Sequence, residues 1–138
     1  MNEAFKLENI VAYAESNQLV LVDNGNILYG QIDAKFWKYA LFSGFAAFDI
    51  KHLLLVVNSD RLTMVGVTIT GAFSDSIVHI PTDVVQSFQF KKGLMQSTIS
   101  FVANSEKYII KIPNVIAVAR WQKGNIKYLL DQQFFCLM

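Results

Sequence analysis

The feature that most constrains the fold is a series of short apolar segments, separated by turns, between residues 52 and 112. These segments are rich in β-branched and aromatic side chains, which favour strands. Phe88 and Phe90, for example, share one strand face, whereas Ser87 and Gln89 lie on the other. The segments follow one another at intervals of eight to twelve residues, and this spacing is typical of an antiparallel barrel or sandwich.

The strand-rich part ends at Pro113, and an amphipathic helix is predicted to follow over residues 114–132. Pro113 cannot donate a hydrogen bond to a sheet ladder, and Asn114 is a favourable N-cap residue. On a helical wheel one arc is apolar apart from Gln122. That arc contains Val115, Val118, Ala119, Ile126, Leu129 and Leu130. A helix with one such face is expected to plug the open end of the barrel.

The amino-terminal part predicts a short helix followed by a hairpin. Within residues 1–18, apolar residues recur at spacings of three and four, which is typical of a helix. An Asn24-Gly25 pair then stands between the apolar runs 19–22 and 27–32. Both turn residues tolerate positive φ, so this pair predicts a two-residue hairpin turn.

The chain of 138 residues is predicted to form one domain, mainly β, with its barrel over residues 19–112. An aromatic connection at 34–50 interrupts the barrel and shows neither strand alternation nor a single helical stripe. It either closes one end of the core or presents an apolar surface to a partner, a second subunit or a membrane. The candidate interaction surface is Phe36, Trp37, Tyr39, Phe42, Phe45 and Phe48.

Composition excludes several classes of protein. Hydrophobic residues make up 53% of the chain and charged residues only 17%, which excludes a disordered chain. Twelve Lys and Arg against eleven Asp and Glu leave a net charge of +1, so nucleic acid is not an expected partner. Cys136 is the one cysteine and cannot form an internal disulfide, which favours a reducing, cytoplasmic location.

The residue types that carry catalysis or bind metals show no motif in the sequence. His52 and His79 lie in predicted strands, and Cys136 lies in the terminal tail, so a nucleophilic dyad is not indicated. Two histidines, one cysteine and scattered acids show no ligand spacing for zinc. No phosphate-binding glycine motif occurs. We therefore predict no enzymatic activity, no catalytic residue, no metal and no cofactor.

Four basic residues are candidates for contact with an anion. Arg61 follows Asp60 at a predicted strand turn, where it either bonds to the end of the sheet or meets an anionic ligand. Arg120, Lys123 and Lys127 share one flank of the predicted helix. That flank is either a solvated surface or an anion-binding patch.

The order of segments from 52 to 132 is similar to that of a known family. Leu53–Leu62 holds an apolar strand, a small polar turn, an Arg and an aliphatic residue. Ile80–Phe88 shows Ile-Pro, an acid, a pair of Val and a Ser, and Lys91–Leu94 opens a hairpin. A strand pair then leads into the closing helix. In this order the motifs resemble the bacterial pleckstrin-homology-like domains, including the YokE-like group.

The resemblance implies a partly open antiparallel β-barrel of two near-orthogonal sheets, capped by the C-terminal helix. It also implies a binding or scaffolding module without enzymatic activity. Lipid-binding relatives carry Lys and Arg around the first hairpin. Here Asp23–Asn26 offers an acid and no base, so a phosphoinositide is not an expected ligand.

Our leading hypothesis is a non-enzymatic module that acts through protein contacts, by self-association. It rests on the excess of apolar residues in 36–48 and in the tail 134–138, which one small domain would struggle to bury. One alternative is a small apolar ligand carrier that uses the barrel interior. Another is peripheral attachment to a membrane. The residues for that attachment are Trp37, Phe42, Phe45, Lys35 and Lys38.

Overall fold

The computed structural model describes residues 3–32, 52–68 and 70–138. In these ranges the chain forms two main helices, α1 (Leu7–Ser16) and α2 (Trp121–Asp131). A single turn at Glu3–Phe5 precedes α1, and another at Thr82–Val84 precedes the fifth strand. A third turn, Gln133–Cys136, follows α2. The strands are β1 (Ile27–Ile32), β2 (His52–Val57), β3 (Arg61–Val67), β4 (Phe73–Pro81), β5 (Val85–Lys91), β6 (Gln96–Ala103) and β7 (Glu106–Pro113).

These seven strands form one antiparallel sheet in the order β4-β3-β2-β1-β7-β6-β5. β1 joins the two halves, because it pairs over five residues with β2 but over only two with β7. The β1–β7 pairs are Gln31 with Lys111 and Ile32 with Ile110. β4 and β5 are the edges of the sheet as described, so it does not close. The two expected sheets are thus halves of one continuous sheet, and the prediction of a mainly β, partly open barrel is confirmed.

The interior of the barrel is a packed apolar core to which both halves of the sheet contribute. Leu55 of β2 and Phe101 of β6 are almost completely buried in the same cluster. Leu129 of α2 and Phe134 of the following turn complete that cluster and are themselves fully buried. The carboxy-terminal segment therefore caps the barrel as predicted.

A second apolar cluster covers the outer face of the first half of the sheet. Leu54 and Val56 of β2 belong to this cluster, whereas Leu55 between them belongs to the interior. α1 lies over the outer face and buries Ile10 and Ala14 there. β2 is consequently buried on both faces, which explains why its sequence is an uninterrupted apolar run.

The strands follow the predicted segments closely, and β4 departs most. It begins at Phe73, whereas the sequence predicts a turn over 71–76 and a strand only from Ile77. The additional residues pair with β3 beyond an irregularity in the register between Val65 and Val67. A bulge of this kind lets a strand continue after its alternation has broken, and alternation is the signal on which the prediction relied.

The hairpin predicted at Asn24-Gly25 is wrong, because the segment before it is not a strand. The side chain of the fully buried Asn26 determines the local structure instead. It accepts a hydrogen bond from the backbone N–H of Val22 at 2.8 Å and donates one to the carbonyl of Val57 at 2.9 Å. These bonds hold the segment against the end of β2 rather than alongside β1.

The helix predicted over 114–132 begins only at Trp121, so its first seven predicted residues are wrong. Asn114 does not cap it. The Asn114 side chain donates to the carbonyls of Gly93 and Leu94 at 3.0 and 3.2 Å, and thereby fastens the β5–β6 turn. The residues from 114 to 120 form a loop, and two valines of the predicted apolar arc are exposed in that loop.

Candidate functional site

Two buried amide side chains fix α2 against β1. Gln122, which interrupts the apolar arc, is fully buried, accepts from the N–H of Tyr29 at 2.9 Å and donates to its carbonyl at 2.9 Å. It also donates to the carbonyl of Pro113 at 3.0 Å. One turn further on, Asn125 donates to the carbonyl of Ile27 at 3.0 Å. These bonds set the rotation of α2, so its basic flank faces outward.

The basic flank lines a groove between α2, the end of β5 and the start of the β7–α2 loop. The groove has a volume of about 740 Å³. Its cations are Lys92, Arg120, Lys123 and Lys127, and its apolar lining is Val115, Ile126 and Leu130. Among the described residues that line it, Asp131 is the one acid. We call it the basic groove; it combines positive charge with an apolar floor.

The β5–β6 turn beside this groove is held rigidly to the β7–α2 loop. Besides its two side-chain bonds to the turn, Asn114 donates its backbone N–H to the carbonyl of Met95 at 3.0 Å. Its side-chain oxygen accepts from the hydroxyl of Ser97 at 2.6 Å. Gly93 permits the tight turn, because a Cβ there would collide with the carbonyl oxygen of Gln96.

The fastened turn and loop expose four aliphatic side chains to solvent. Leu94 is 98% exposed and Met95 82%, and Val115 and Val118 of the neighbouring loop are 69% and 50% exposed. We call these four residues the apolar tip. Val115 also lines the basic groove, so the groove and the tip are continuous. Large apolar side chains grouped in solvent beside a groove are typical of a docking surface.

Arg61 is separate from the other three candidate anion contacts. It lies with Asp60 at a smaller cavity of about 470 Å³ between the β2–β3 turn, the segment before β1 and Phe135. Its guanidinium donates to the carbonyl of Gln18 at 3.2 Å. The structure therefore gathers Arg120, Lys123 and Lys127 at one groove and gives Arg61 a backbone partner elsewhere.

The aromatic residues predicted as an interaction surface lie outside the described residues. They are Phe36, Trp37, Tyr39, Phe42, Phe45 and Phe48. Lys35 and Lys38 lie in the same stretch. The tail, which was the second apolar segment behind the self-association hypothesis, is described. Phe134 is completely buried, and Phe135 and Leu137 pack against the barrel core. Most of the tail is thus used inside the domain.

The two histidines each contact a hydroxyl group on a neighbouring strand. Nδ1 of His52 lies 2.6 Å from the hydroxyl of Tyr29, and burial raises the pKa of that tyrosine. Nδ1 of His79 lies 3.0 Å from the hydroxyl of Thr63. Burial, and secondly the positive charge of Arg61, lowers the pKa of His79. Both arrangements link adjacent strands of the sheet.

The described ranges contain no group of three or more His, Cys, Asp or Glu side chains that could hold a metal ion. Cys136, the one cysteine, is exposed in the turn after α2. The chemistry that the site offers is therefore that of its surface: cationic side chains for an anion and aliphatic side chains for an apolar phase.

Sequence reasoning found the helix flank but missed the other half of the site. Lys91–Leu94 was interpreted as the opening of an ordinary hairpin, and no role was predicted for Met95. A signal was present, because two large aliphatic residues directly follow Lys-Lys-Gly at a position where polar turn residues are the norm. What joins them to α2 is Asn114, some twenty residues further along the chain.

Fold and site together define a mainly β barrel, capped by a helix, with a groove and an apolar turn on its surface. Comparison with known protein families and with curated proteins finds no match to this chain. Neither α1 nor α2, the main helices of the described ranges, combines the length and the hydropathy that crossing a bilayer requires.

Proposed function

We propose that this chain is a non-enzymatic binding module that docks on its partner through the basic groove and the apolar tip. Assignment to the bacterial pleckstrin-homology-like domains is part of this proposal. It is supported by the order of seven antiparallel strands followed by a capping helix. A cytoplasmic location also belongs to it, supported by the single, exposed thiol of Cys136.

The observation that carries the proposal is the exposure of Leu94 and Met95. Burying a side chain of this size stabilises a protein by about 1.5–3 kcal/mol. The domain buries most of its large aliphatic strand residues in two clusters. Asn114, by contrast, holds the turn that carries Leu94 and Met95 in water with three hydrogen bonds. Such an arrangement gains its apolar contacts only when something covers it.

Self-association is one way in which the docking surface could act. The buried Phe134 is no longer available for contact with a second copy, so in the described part of the chain the apolar tip is the best surface for it. A second copy of the chain is therefore one of the partners that crosslinking can identify.

The test is site-specific photo-crosslinking in the native cell. A benzoylphenylalanine replaces Leu94 in one variant and the exposed Glu15 of α1 in a matched control. We expect adducts at position 94 and not at position 15. The adduct mass identifies the partner: the mass of a second copy is added for self-association, the mass of a different protein for another protein partner, and a mass below that of a protein for a lipid. No adduct at 94, or equal yields at both positions, would contradict the proposal.

A further inference from the structure

We infer that the partner of this surface is an anionic lipid bilayer, with the apolar tip in the headgroup–acyl boundary and the basic groove facing the lipid headgroups. This inference rests on the proposed docking function and names the partner. It concerns residues other than those of the aromatic segment 36–48.

Positive charge is concentrated at the basic groove and beside the apolar tip. Lys91 and Lys92 precede Leu94 by three and two residues, and Arg120, Lys123 and Lys127 lie across the groove at the start of α2 and within it. These five are among the chain's twelve Lys and Arg. The net charge of +1 conceals this cluster, because Asp131 is the one acid among the described residues that line the groove. An anionic leaflet attracts such a cluster over a distance of about one Debye length.

The residue types at this surface also favour a membrane over a protein as the partner. Protein–protein interfaces are enriched in aromatic residues, Met and Arg and are depleted of lysine. This surface has one Met and one Arg, but it has four lysines, and its other apolar side chains are aliphatic. The aromatic residues of α2 are not available to it. The indole N–H of Trp121 donates to the carbonyl of Phe5 at 2.9 Å, and Tyr128 packs against the barrel core. A lysine rim around an aliphatic tip is typical of peripheral membrane binding.

Three backbone carbonyls of the turn that carries Leu94 and Met95 already have hydrogen-bond partners within the protein. The carbonyls of Gly93, Leu94 and Met95 all accept a hydrogen bond from Asn114. A polar backbone group without a partner is costly in an apolar phase. Asn114 removes that cost for three successive carbonyls, which an ordinary solvated turn does not require.

Two independent contributions act together at this surface. A single weak membrane signal gives only marginal binding, and stable attachment takes two signals, such as an apolar insertion and a basic patch. Here the apolar tip and the basic groove share Val115, so the apolar and the basic contribution lie side by side.

The test is cosedimentation of the full chain with lipid vesicles at low salt. One set consists of phosphatidylcholine alone and the other of phosphatidylcholine with phosphatidylglycerol. We expect binding to the anionic vesicles only, weakened by added salt. Removing two lysines, in Lys123→Gln with Lys127→Gln, should weaken binding roughly 25-fold, because each lysine near an anionic surface contributes about fivefold.

Two further variants separate the contributions of charge and insertion. Leu94→Ser with Met95→Ser should abolish stable attachment, and since both side chains are exposed, an unchanged unfolding curve will show that the fold persists. The matched charge control, Lys6→Gln with Lys107→Gln, should bind as the unmodified chain does. Equal weakening by the control, or full binding by the serine variant, would overturn the inference.

The outcomes also separate this inference from the docking proposal. No sedimentation of the unmodified chain with anionic vesicles, together with protein adducts at position 94 in the cell, overturns the lipid inference and leaves the docking function in place. Absence of every adduct at position 94 overturns the docking function itself.

Discussion

Two short apolar stretches, the tail after α2 and the β5–β6 turn, have opposite fates in this domain. Phe134 in the tail is completely buried, whereas Leu94 in the turn is 98% exposed. In the tail, the backbone changes to left-handed φ values from Gln133 to Cys136, and Phe134 thereby packs against Phe88 with ring centroids 5.2 Å apart. In the turn, Asn114 holds the backbone away from the core.

The buried tail and the exposed turn show that an apolar sequence alone does not identify a docking surface. Left-handed backbone costs roughly 1–2 kcal/mol for each non-glycine residue, and the tail adopts it over four residues in order to bury one ring. The turn does the reverse, since its hydrogen bonds to Asn114 stabilise an exposed arrangement. The surface that we assign to docking is therefore the one whose exposure is structurally supported.

The largest effect expected is the loss of the buried tail contact. Phe134→Ala should lower the free energy of unfolding by about 3–5 kcal/mol, because it removes a completely buried ring and leaves a cavity beneath the capping helix. Urea denaturation measures this. Met138→Ala, at a half-exposed position of the same tail, is the control and should cost less than about 1 kcal/mol. Equal effects would show that the tail does not belong to the core.

A smaller loss is expected when the anchor of α2 is removed. Gln122→Ala leaves the N–H and carbonyl of Tyr29 without their side-chain partner in a buried place. We expect a loss of about 2–3 kcal/mol in the free energy of unfolding, since each buried group left unpaired costs roughly 1–3 kcal/mol. Lys123→Ala, the exposed neighbour on α2, should change it by less than about 0.5 kcal/mol. A negligible effect of Gln122→Ala would mean that these bonds do not position the helix.

Stability should hardly respond to changes in the turn. Leu94→Ser with Met95→Ser is expected to stay within about 0.5 kcal/mol of the unmodified chain, because exposed side chains contribute little to the folded state. The same urea titration measures it, and Asn114→Ala provides the contrast, since it leaves the carbonyls of Gly93 and Leu94 without their side-chain partner. A loss above about 1 kcal/mol in the serine variant would show that the tip is part of the core.

The smallest effect expected is a pH dependence of stability that arises from His79 in β4. In strand order, β4 is the edge of the sheet opposite to β5. The pKa of His79 is lowered in the folded chain, so the unfolded chain binds more protons between that pKa and the ordinary value of about 6.5. Stability should therefore fall as the pH drops through this window. His79→Gln should flatten the fall in thermal unfolding scans, and an unchanged slope would assign the pH dependence to other groups.

Much of the fold could be predicted from the sequence because its signals are local. Apolar runs and alternation placed the strands from β2 to β7, apart from the start of β4, and the apolar arc predicted that α2 closes the barrel with Leu129. The failures involve side chains whose partners are distant in the chain. Asn26 bonds to Val57, and Asn114 bonds to the β5–β6 turn. Neither contact leaves a local trace, so one was predicted as part of a hairpin and the other as a helix cap.

The candidate site, like the fold, could be predicted from the sequence only where its signals are local. The helical wheel brought Arg120, Lys123 and Lys127 together before the structure did, because helical periodicity is a local property. Gln122 was interpreted as a weakness of the apolar arc, yet it is the anchor that turns this flank outward. Lys92 and Leu94 joined the site only through the fold, since a hairpin turn has no sequence signal for what packs beside it.

The most direct test of the docking surface is the fluorescence emission of a probe at position 94, recorded as vesicles are added. In a Cys136→Ser background, Leu94→Cys carries a polarity-sensitive fluorophore, and Glu15→Cys carries the same group as a control. The account predicts a blue shift at position 94 with anionic vesicles, quenching there by lipids that carry a quencher on the acyl chain, and no change at position 15. An unchanged spectrum at position 94, or equal shifts at both positions, would contradict it.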